Sequence, residues 1–323
     1  MRVKFELPEF TIDDAMRIAE ENYGLTASAR PFPSERDQNF HLRANDRQEY
    51  VLKIANVSEQ ETILDLQNRA MDYLAEQLPT LRLSQVCRSK VGESTITITG
   101  SKGTTHFVRL LTFVPGKTLA EVTPHTPKLL HSLGLALGQI DRALLGFRHP
   151  AAHRELKWDI SRVSWIREYA PYVQDLRRRE FLERFLADFE NSILPVLPAL
   201  RTSVIYNDAN DYNVMVDSQN KVIGVIDFGD MVHTQTVCEL AVGAAYAMLH
   251  KPDPRAALTS VVAGYRQALP LTDPELEVLL PLICARLCIT VTNAAYQRAV
   301  EPGNEYLAIS EAPAWQLLER LIS

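Results

Sequence analysis

The chain has 323 residues, 46% hydrophobic and 23% charged, with a formal net charge of −6, the balance of an ordinary globular protein with one large or two modest domains. The acidic excess lacks the basic footprint of a nucleic-acid binder, and no apolar run is read as reaching the roughly 18 residues of a membrane span. MRVKFELPEF at the start has no signal-peptide core, and four scattered cysteines (Cys87, Cys238, Cys284, Cys288) imply no disulfide framework and fit a reducing cytoplasm. Cys284 and Cys288, four apart on a helical pattern, read as buried free thiols rather than metal ligands.

Thr11 with Asp14 three residues on resembles a capping box, and Gly24 is a suitable helix stop. Arg30 to Lys53 reads as a β-meander, with strands at Phe40–Arg43 and Tyr50–Ile54 and a turn at Asn45-Asp46. Ahead of them lies the polar turn Pro33-Ser34-Glu35-Arg36-Asp37-Gln38-Asn39, with no glycine in it. Lys53, between Leu52 and Ile54, is either a solvent-facing strand lysine or a functional one. Ser58-Glu59-Gln60-Glu61 reads as a second capping box, followed by helical periodicity through Ile63, Leu66, Ala70, Tyr73-Leu74 and Leu78. Val86–Thr99 and Thr104–Phe113 read as a strand pair around Gly100–Gly103. At Phe113-Val114-Pro115-Gly116 the composition changes from strand-rich to helix-rich. That places a boundary between a unit over 1–115 and one over 116–323.

From Thr126 the pattern is helical, with an apolar stripe of Leu129, Leu133, Ala136-Leu137 and Ile140. Asp175–Leu194 reads as a charged, solvated helix. Val204-Ile205-Tyr206 is a buried strand ending at the turn formers Asn207-Asp208. Val214–Val216 and Val222–Ile226 form a hairpin around Asp217–Asn220, so Asn213 returns beside Asp227, with Asp208 at the mouth of the same cleft. Two carboxylates and a carboxamide are oxygen ligands, which suit Mg²⁺ better than zinc. Glu239–Leu249 is a nearly uniform apolar helix. Asp253-Pro254 and Asp273-Pro274 each read as N-cap plus first-turn proline, starting two long helices, the second kinked at Pro281.

The order of Asp208, then Asn213, then Asp227-Phe228-Gly229 matches the protein-kinase sequence of catalytic Asp, metal-binding Asn and metal-binding Asp. Val51-Leu52-Lys53-Ile54 imitates the kinase strand whose lysine pairs the nucleotide phosphates. On these residues the chain resembles the aminoglycoside phosphotransferase and choline kinase superfamily. Asp37-Gln38-Asn39-Phe40, Gln67-Asn68 and Asn207–Asn213 are similar to the hydroxylysine kinases, and equally to the kinase-like domain fused to bacterial class III aminotransferases.

The resemblance implies an α+β, protein-kinase-like bilobal fold, with a small antiparallel N-lobe over 1–115 and a helical C-lobe over 116–323. It implies Asp208 as catalytic base, Asn213 and Asp227 on Mg²⁺, and Lys53 on the phosphates of ATP or GTP. Ser34 and its turn would offer further donors to phosphate, Gln67 would hold the lysine where a kinase uses Glu (Glu61 and Asp65 being alternatives), and Phe113 and Val114 would line the base. An amine-bearing alcohol, hydroxylysine-like or homoserine-like, would receive the phosphoryl group, its ammonium meeting Asp211, Asp230 or Glu239. An aminotransferase partner or fusion is a further implication. Departures from the pattern are the missing glycines, the missing helix Glu, and Tyr206-Asn207 where the family has His-Gly. They keep open a non-catalytic nucleotide-binding domain, and an aminoglycoside- or choline-type acceptor is the other alternative.

Overall fold

The computed structural model describes residues 8–32, 34, 37–300 and 309–322; of the polar turn before the second strand, Pro33, Glu35 and Arg36 lie outside them. The chain divides into two compact units, Met1–Pro115 and Gly116–Ser323.

The first unit begins with α1 (Ile12–Tyr23), where the Thr11 and Asp14 side chains cap each other's backbone amides and Gly24 ends the helix at φ +70°. Strands β1 (Ala27–Phe32), β2 (Gln38–Ala44) and β3 (Glu49–Ile54) follow. The meander therefore holds a strand more than the sequence shows, because β1 buries no residue fully and so carries no apolar core face to mark it. α2 (Glu61–Gln77) has Gln60 as N-cap with no side-chain cap bond. The expected capping box at Ser58 is absent there: Ser58 bonds instead to the Asn56 side chain, forming a turn one step before the helix. Strands β4 (Val86–Cys87), β5 (Ile96–Thr99) and β6 (Thr105–Thr112) complete the sheet. Val86–Thr99 is thus two short strands rather than one, interrupted by a turn closed by Ser89 and Glu93.

The order is β1-β2-β3-β6-β4, with β5 also on β6, all antiparallel. One face carries Phe40, Leu42, Leu52, Ile54, Val108 and Leu110 onto Ala15, Ile18 and Ala19 of α1. Successive strand residues alternate faces, so Lys53 and Arg109, opposed across β3 and β6, share the other face.

In the second unit, β7 (Lys117–Thr118) joins a small sheet with the later hairpin. α3 (Pro127–Leu144) is capped by the Thr126 hydroxyl, and every residue of its expected stripe is buried. α4 (Ile166–Tyr169) lies among short 3₁₀ turns, and α5 (Leu176–Ser192) buries Leu182, Leu186 and Phe189 while its charged face stays solvated. Strands β8 (Thr202–Ile205), β9 (Val214–Val216), β10 (Val222–Val225) and β11 (Val232–Gln235) carry the motif segment. β9 and β10 form the expected hairpin, while β8 pairs with β11, which the sequence reading does not include.

α6 (Val237–Met248) is buried on nearly every residue. α7 (Pro254–Ala268) is capped by Asp253 as expected. α8 (Asp273–Val300) starts one residue earlier than a cap at Asp273 allows: Thr272 and Glu275 cap one another's amides. Pro281 sits within this 28-residue helix, and a further helix, α9 (Glu311–Ile322), follows. α8 is long and apolar enough to span a bilayer by length and composition, against the sequence expectation, but 83% of its apolar window is buried within the protein, as in a core helix. α3 and α7 meet almost backbone to backbone. A Cβ on Gly134 would fall 1.8 Å from the Val261 carbonyl oxygen, and one on Gly264 1.9 Å from that of His131, so only glycine allows this approach.

Candidate active site

Two strand pairings assemble the site. Ile205 of β8 faces Val232 of β11, so the chain leaving β8 at Tyr206 and the chain entering β11 from Met231 are neighbours. Val214 of β9 faces Val225 of β10, and the Ile226 amide donates to the Asn213 carbonyl at 2.9 Å. Asn213 therefore lies one residue from Asp227 across the hairpin. Asp208 meets Asn213 directly: the carboxamide Nδ2 donates to Asp208 Oδ2 at 2.6 Å and to the Asp208 carbonyl at 3.2 Å. Asn210 Nδ2 donates to the other oxygen, Oδ1, at 2.9 Å.

Three residues of this segment hold left-handed backbone, Asn220 at φ +55° in the hairpin turn and, at the site, Asn207 at φ +66° and Asp227 at φ +61°. Position 207 is where the family pattern has glycine, and Asn is among the few other residues that tolerate this region. The Asn207 amide donates to Glu239 Oε2 at 2.5 Å, and its side chain to the Asp230 carbonyl at 3.1 Å. Tyr206, fully buried, stands where the pattern has histidine. Its hydroxyl donates to the Ile226 carbonyl next to Asp227, and its ring lies edge-on to Phe228 at 5.2 Å. Burial, then the charge of Asp208, keep that hydroxyl protonated far above the usual tyrosine range. From the other side Arg154 reaches the Gly229 carbonyl at 2.5 Å and the Met231 carbonyl at 2.9 Å.

The field here is acidic. Burial, then the Asp230 charge, push the Asp208 carboxyl well above its usual range, while Arg286 and the Asn210 bond pull it down. A fifth of the Asp208 side chain is still exposed, so water moderates the effect of burial. Glu239, fully buried on α6, is pushed up to about 7 by desolvation, opposed by the amides of Asn207 and Tyr206 and by Arg286. Arg286 on α8 is 1% exposed, with a nitrogen 3.8 Å from Asp208 Oδ1. No motif announces it: an arginine in an apolar helix is the only signal in the sequence.

The remaining expected residues are placed as follows. Asp230 is buried, and its charge acts on Asp208. Glu239 lies under the loop with its carboxylate on the Asn207 amide. Asp211 is half-buried among His125, His250 and Lys251, which partly offset the rise burial gives it. In the first unit, Lys53 is half-buried beside Arg109. Gln67 Oε1 and Asn68 Oδ1 accept from the Arg109 guanidinium at 2.8 and 2.9 Å, so the Gln67 amide expected to hold the lysine also serves Arg109. Ser34 is exposed, and its hydroxyl accepts from the Asp37 amide at 3.3 Å. Phe113 packs edge-on to His41 at 4.8 Å, and Val114 is buried.

The APH family of phosphotransferase enzymes matches residues 28–276. Hydroxylysine kinase from Mus musculus is 32% identical over 97% of this chain and 90% of its own length; that from Danio rerio is 30% identical over 99% and 94%. Among solved structures, an amicoumacin kinase in complex with AMP-PNP, Ca²⁺ and Ami superposes with a TM-score of 0.70 at 14% identity, covering 97% of this chain and 94% of that one. A microcompartment-associated aminopropanol kinase superposes equally well at 16% identity, covering 96% and 97%. The antiparallel first unit and helical second unit are those of the kinase-like phosphotransferase fold. The chain belongs to the APH phosphotransferase family and is a small-molecule kinase, an enzyme that phosphorylates an alcohol group.

Proposed function

We propose that the chain transfers the γ-phosphoryl group of ATP or GTP to the hydroxyl of an amine-bearing alcohol, hydroxylysine-like or homoserine-like. The observation that carries the reading is the bonding of Asp208 to Asn213, with Asp227 returned beside it in a backbone conformation that costs energy. Such strained residues gather at functional sites.

Phosphoryl transfer asks a protein mainly for positioning and charge neutralisation. Asp208, its carboxylate held at both oxygens by Asn210 and Asn213, orients the acceptor hydroxyl and takes its proton as the new O–P bond forms and the bridging P–O bond of the nucleotide breaks. Asn213 and Asp227 would hold Mg²⁺, which supplies charge neutralisation at the phosphate oxygens. Their donor set is all oxygen, as a hard cation prefers, and the surplus of buried carboxylates around Arg286 favours a bound cation. Among the described residues no three His, Cys, Asp or Glu side chains form a closed cage. Mg²⁺ does not call for one, since it keeps waters and phosphate oxygens as ligands. Lys53 is the proposed phosphate partner, and Phe113 and Val114 are the proposed lining of the base. Asp230, Glu239 and Asp211 are the carboxylates proposed to meet the substrate ammonium.

Asp208→Asn should lower kcat by about three decades, about 4 kcal/mol at ~1.36 kcal/mol per tenfold, with nucleotide affinity nearly unchanged. Near-normal turnover in this variant removes the assignment of the base. A screen of amino alcohols with Mg·ATP and Mg·GTP names the acceptor and the donor; turnover of none of them, with nucleotide still bound, defeats the acceptor class.

A further inference from the structure

We propose that Arg286 is a positioning residue for phosphoryl transfer: from the core of α8 it fixes the Asp208 carboxylate in the orientation that receives the acceptor hydroxyl. This rests on the reading of Asp208 as the base.

The setting of Arg286 is unusual for a residue that only stabilises a fold. Its guanidinium carbon lies 4.5 Å from the centre of the Trp158 ring and 5.6 Å from that of Tyr246, so two aromatic faces clamp the charge. Nη1 donates to the Trp158 carbonyl at 3.2 Å, and Nη2 to the Tyr246 hydroxyl at the long distance of 3.5 Å. Nε is buried with no hydrogen-bond partner among the described residues. A guanidinium carries five N–H donors in a rigid fork, so this one is incompletely satisfied in a place water does not reach. Buried cations with incomplete partners oppose stability, and an apolar side chain of similar size between the two rings would serve a purely structural purpose better.

The position does supply a fixed positive charge 3.8 Å from Asp208 Oδ1, opposite the push that Asp230 and Asp227 exert on the same carboxylate. The terminal torsion of an aspartate is soft. Asn210 and Asn213 hold its two oxygens from the same short loop, and Arg286 adds an anchor from a separate, buried helix. The rings in turn keep the guanidinium from following the carboxylate if it rotates. At 1% exposure Arg286 is enclosed by protein, so it acts through Asp208. Misplacing a reacting group by an ångström is enough to cost about a hundredfold in rate.

The test measures kcat and both KM values for Arg286→Met and Arg286→Lys, with melting temperatures alongside. Arg286→Met should lose about a hundredfold in kcat, with KM for nucleotide within about twofold and a melting temperature unchanged or raised. Arg286→Lys, which keeps a cation between the rings but loses the fork, should fall between Met and the wild type. A Met variant with wild-type kcat, or one whose nucleotide KM rises as much as kcat falls, overturns the proposal. Should the Met variant not fold, the Lys variant decides: reduced kcat at unchanged KM upholds it, and unchanged kcat overturns it. Asp208→Asn is run in parallel. If that variant turns over normally, the reading of the base has failed; if only the Arg286 variants do, the inference alone has failed.

Discussion

Each unit of this protein buries an arginine, and the two are treated differently. Arg109, 3% exposed, gives its two terminal nitrogens to the amide oxygens of Gln67 and Asn68 at 2.8 and 2.9 Å. Those are neutral acceptors on a helix, at ordinary lengths, and they tie α2 to the sheet. Arg286 has long bonds, an orphaned nitrogen and a carboxylate just beyond hydrogen-bond reach. A buried charge whose donors are met is scaffold. One left partly unmet beside the Asp208 loop fits the positioning role proposed for it. The comparison also separates pH behaviour, since Arg109 faces amides while Arg286 faces acids.

The largest effect expected from that contrast is on stability at Arg109. Arg109→Met leaves two buried carbonyl oxygens without donors, each costing about 1–3 kcal/mol, so denaturant unfolding should show a loss of about 4 kcal/mol, with turnover per folded molecule retained. If Arg109→Met instead loses turnover with little change in stability, the division between scaffold and site is wrong.

Next is the pH dependence of the acid cluster. The Glu239 carboxyl is pushed up to about 7 in the folded protein from an ordinary 4.5. Its raised value means that the folded state resists ionisation. The stability contribution is therefore whole below about pH 4.5, is lost as pH rises toward 7, and is constant above. At ~1.36 kcal/mol per pKa unit the loss is about 3 kcal/mol. Measured without metal, the difference in unfolding free energy between wild type and Glu239→Gln should change by up to that amount between pH 4.5 and 7.5; a difference that stays constant with pH sinks the claim.

The smallest effect is a scaffold control in the first unit. Thr11→Ala removes a hydroxyl that caps Asp14, at a cost of about 1 kcal/mol with kcat unchanged; any loss of turnover would show that α1 is not mere support for the sheet.

Much of this fold and site is legible in the sequence. Thr11 with Asp14, Asp253 before Pro254, and the β-prone runs at Phe40–Arg43 and Tyr50–Ile54 are local signals, and local geometry obeyed them. The order of Asp208, Asn213 and Asp227 was legible because a hairpin with a short turn leaves little freedom in how its ends return. Local signals failed where a competing bond was equally close at hand. At Ser58 the side chain of Asn56 captured the hydroxyl meant for a cap, and at Asp273 the neighbouring Thr272 and Glu275 formed the better pair.

The sequence alone determined most of the secondary elements, the two-unit division of composition and the family, because these depend on residues near one another in the chain. Tertiary structure decided what depends on pairs far apart. Arg109 came to bond the Gln67 and Asn68 amides, and β11 found β8 across the whole motif. Gly134 and Gly264 let two helices touch backbones, and Arg286, 78 residues beyond Asp208 in the numbering, came to rest against it. A chain can advertise a cap or a turn within four residues, but which buried charge faces which is settled only when the helices pack and water is excluded.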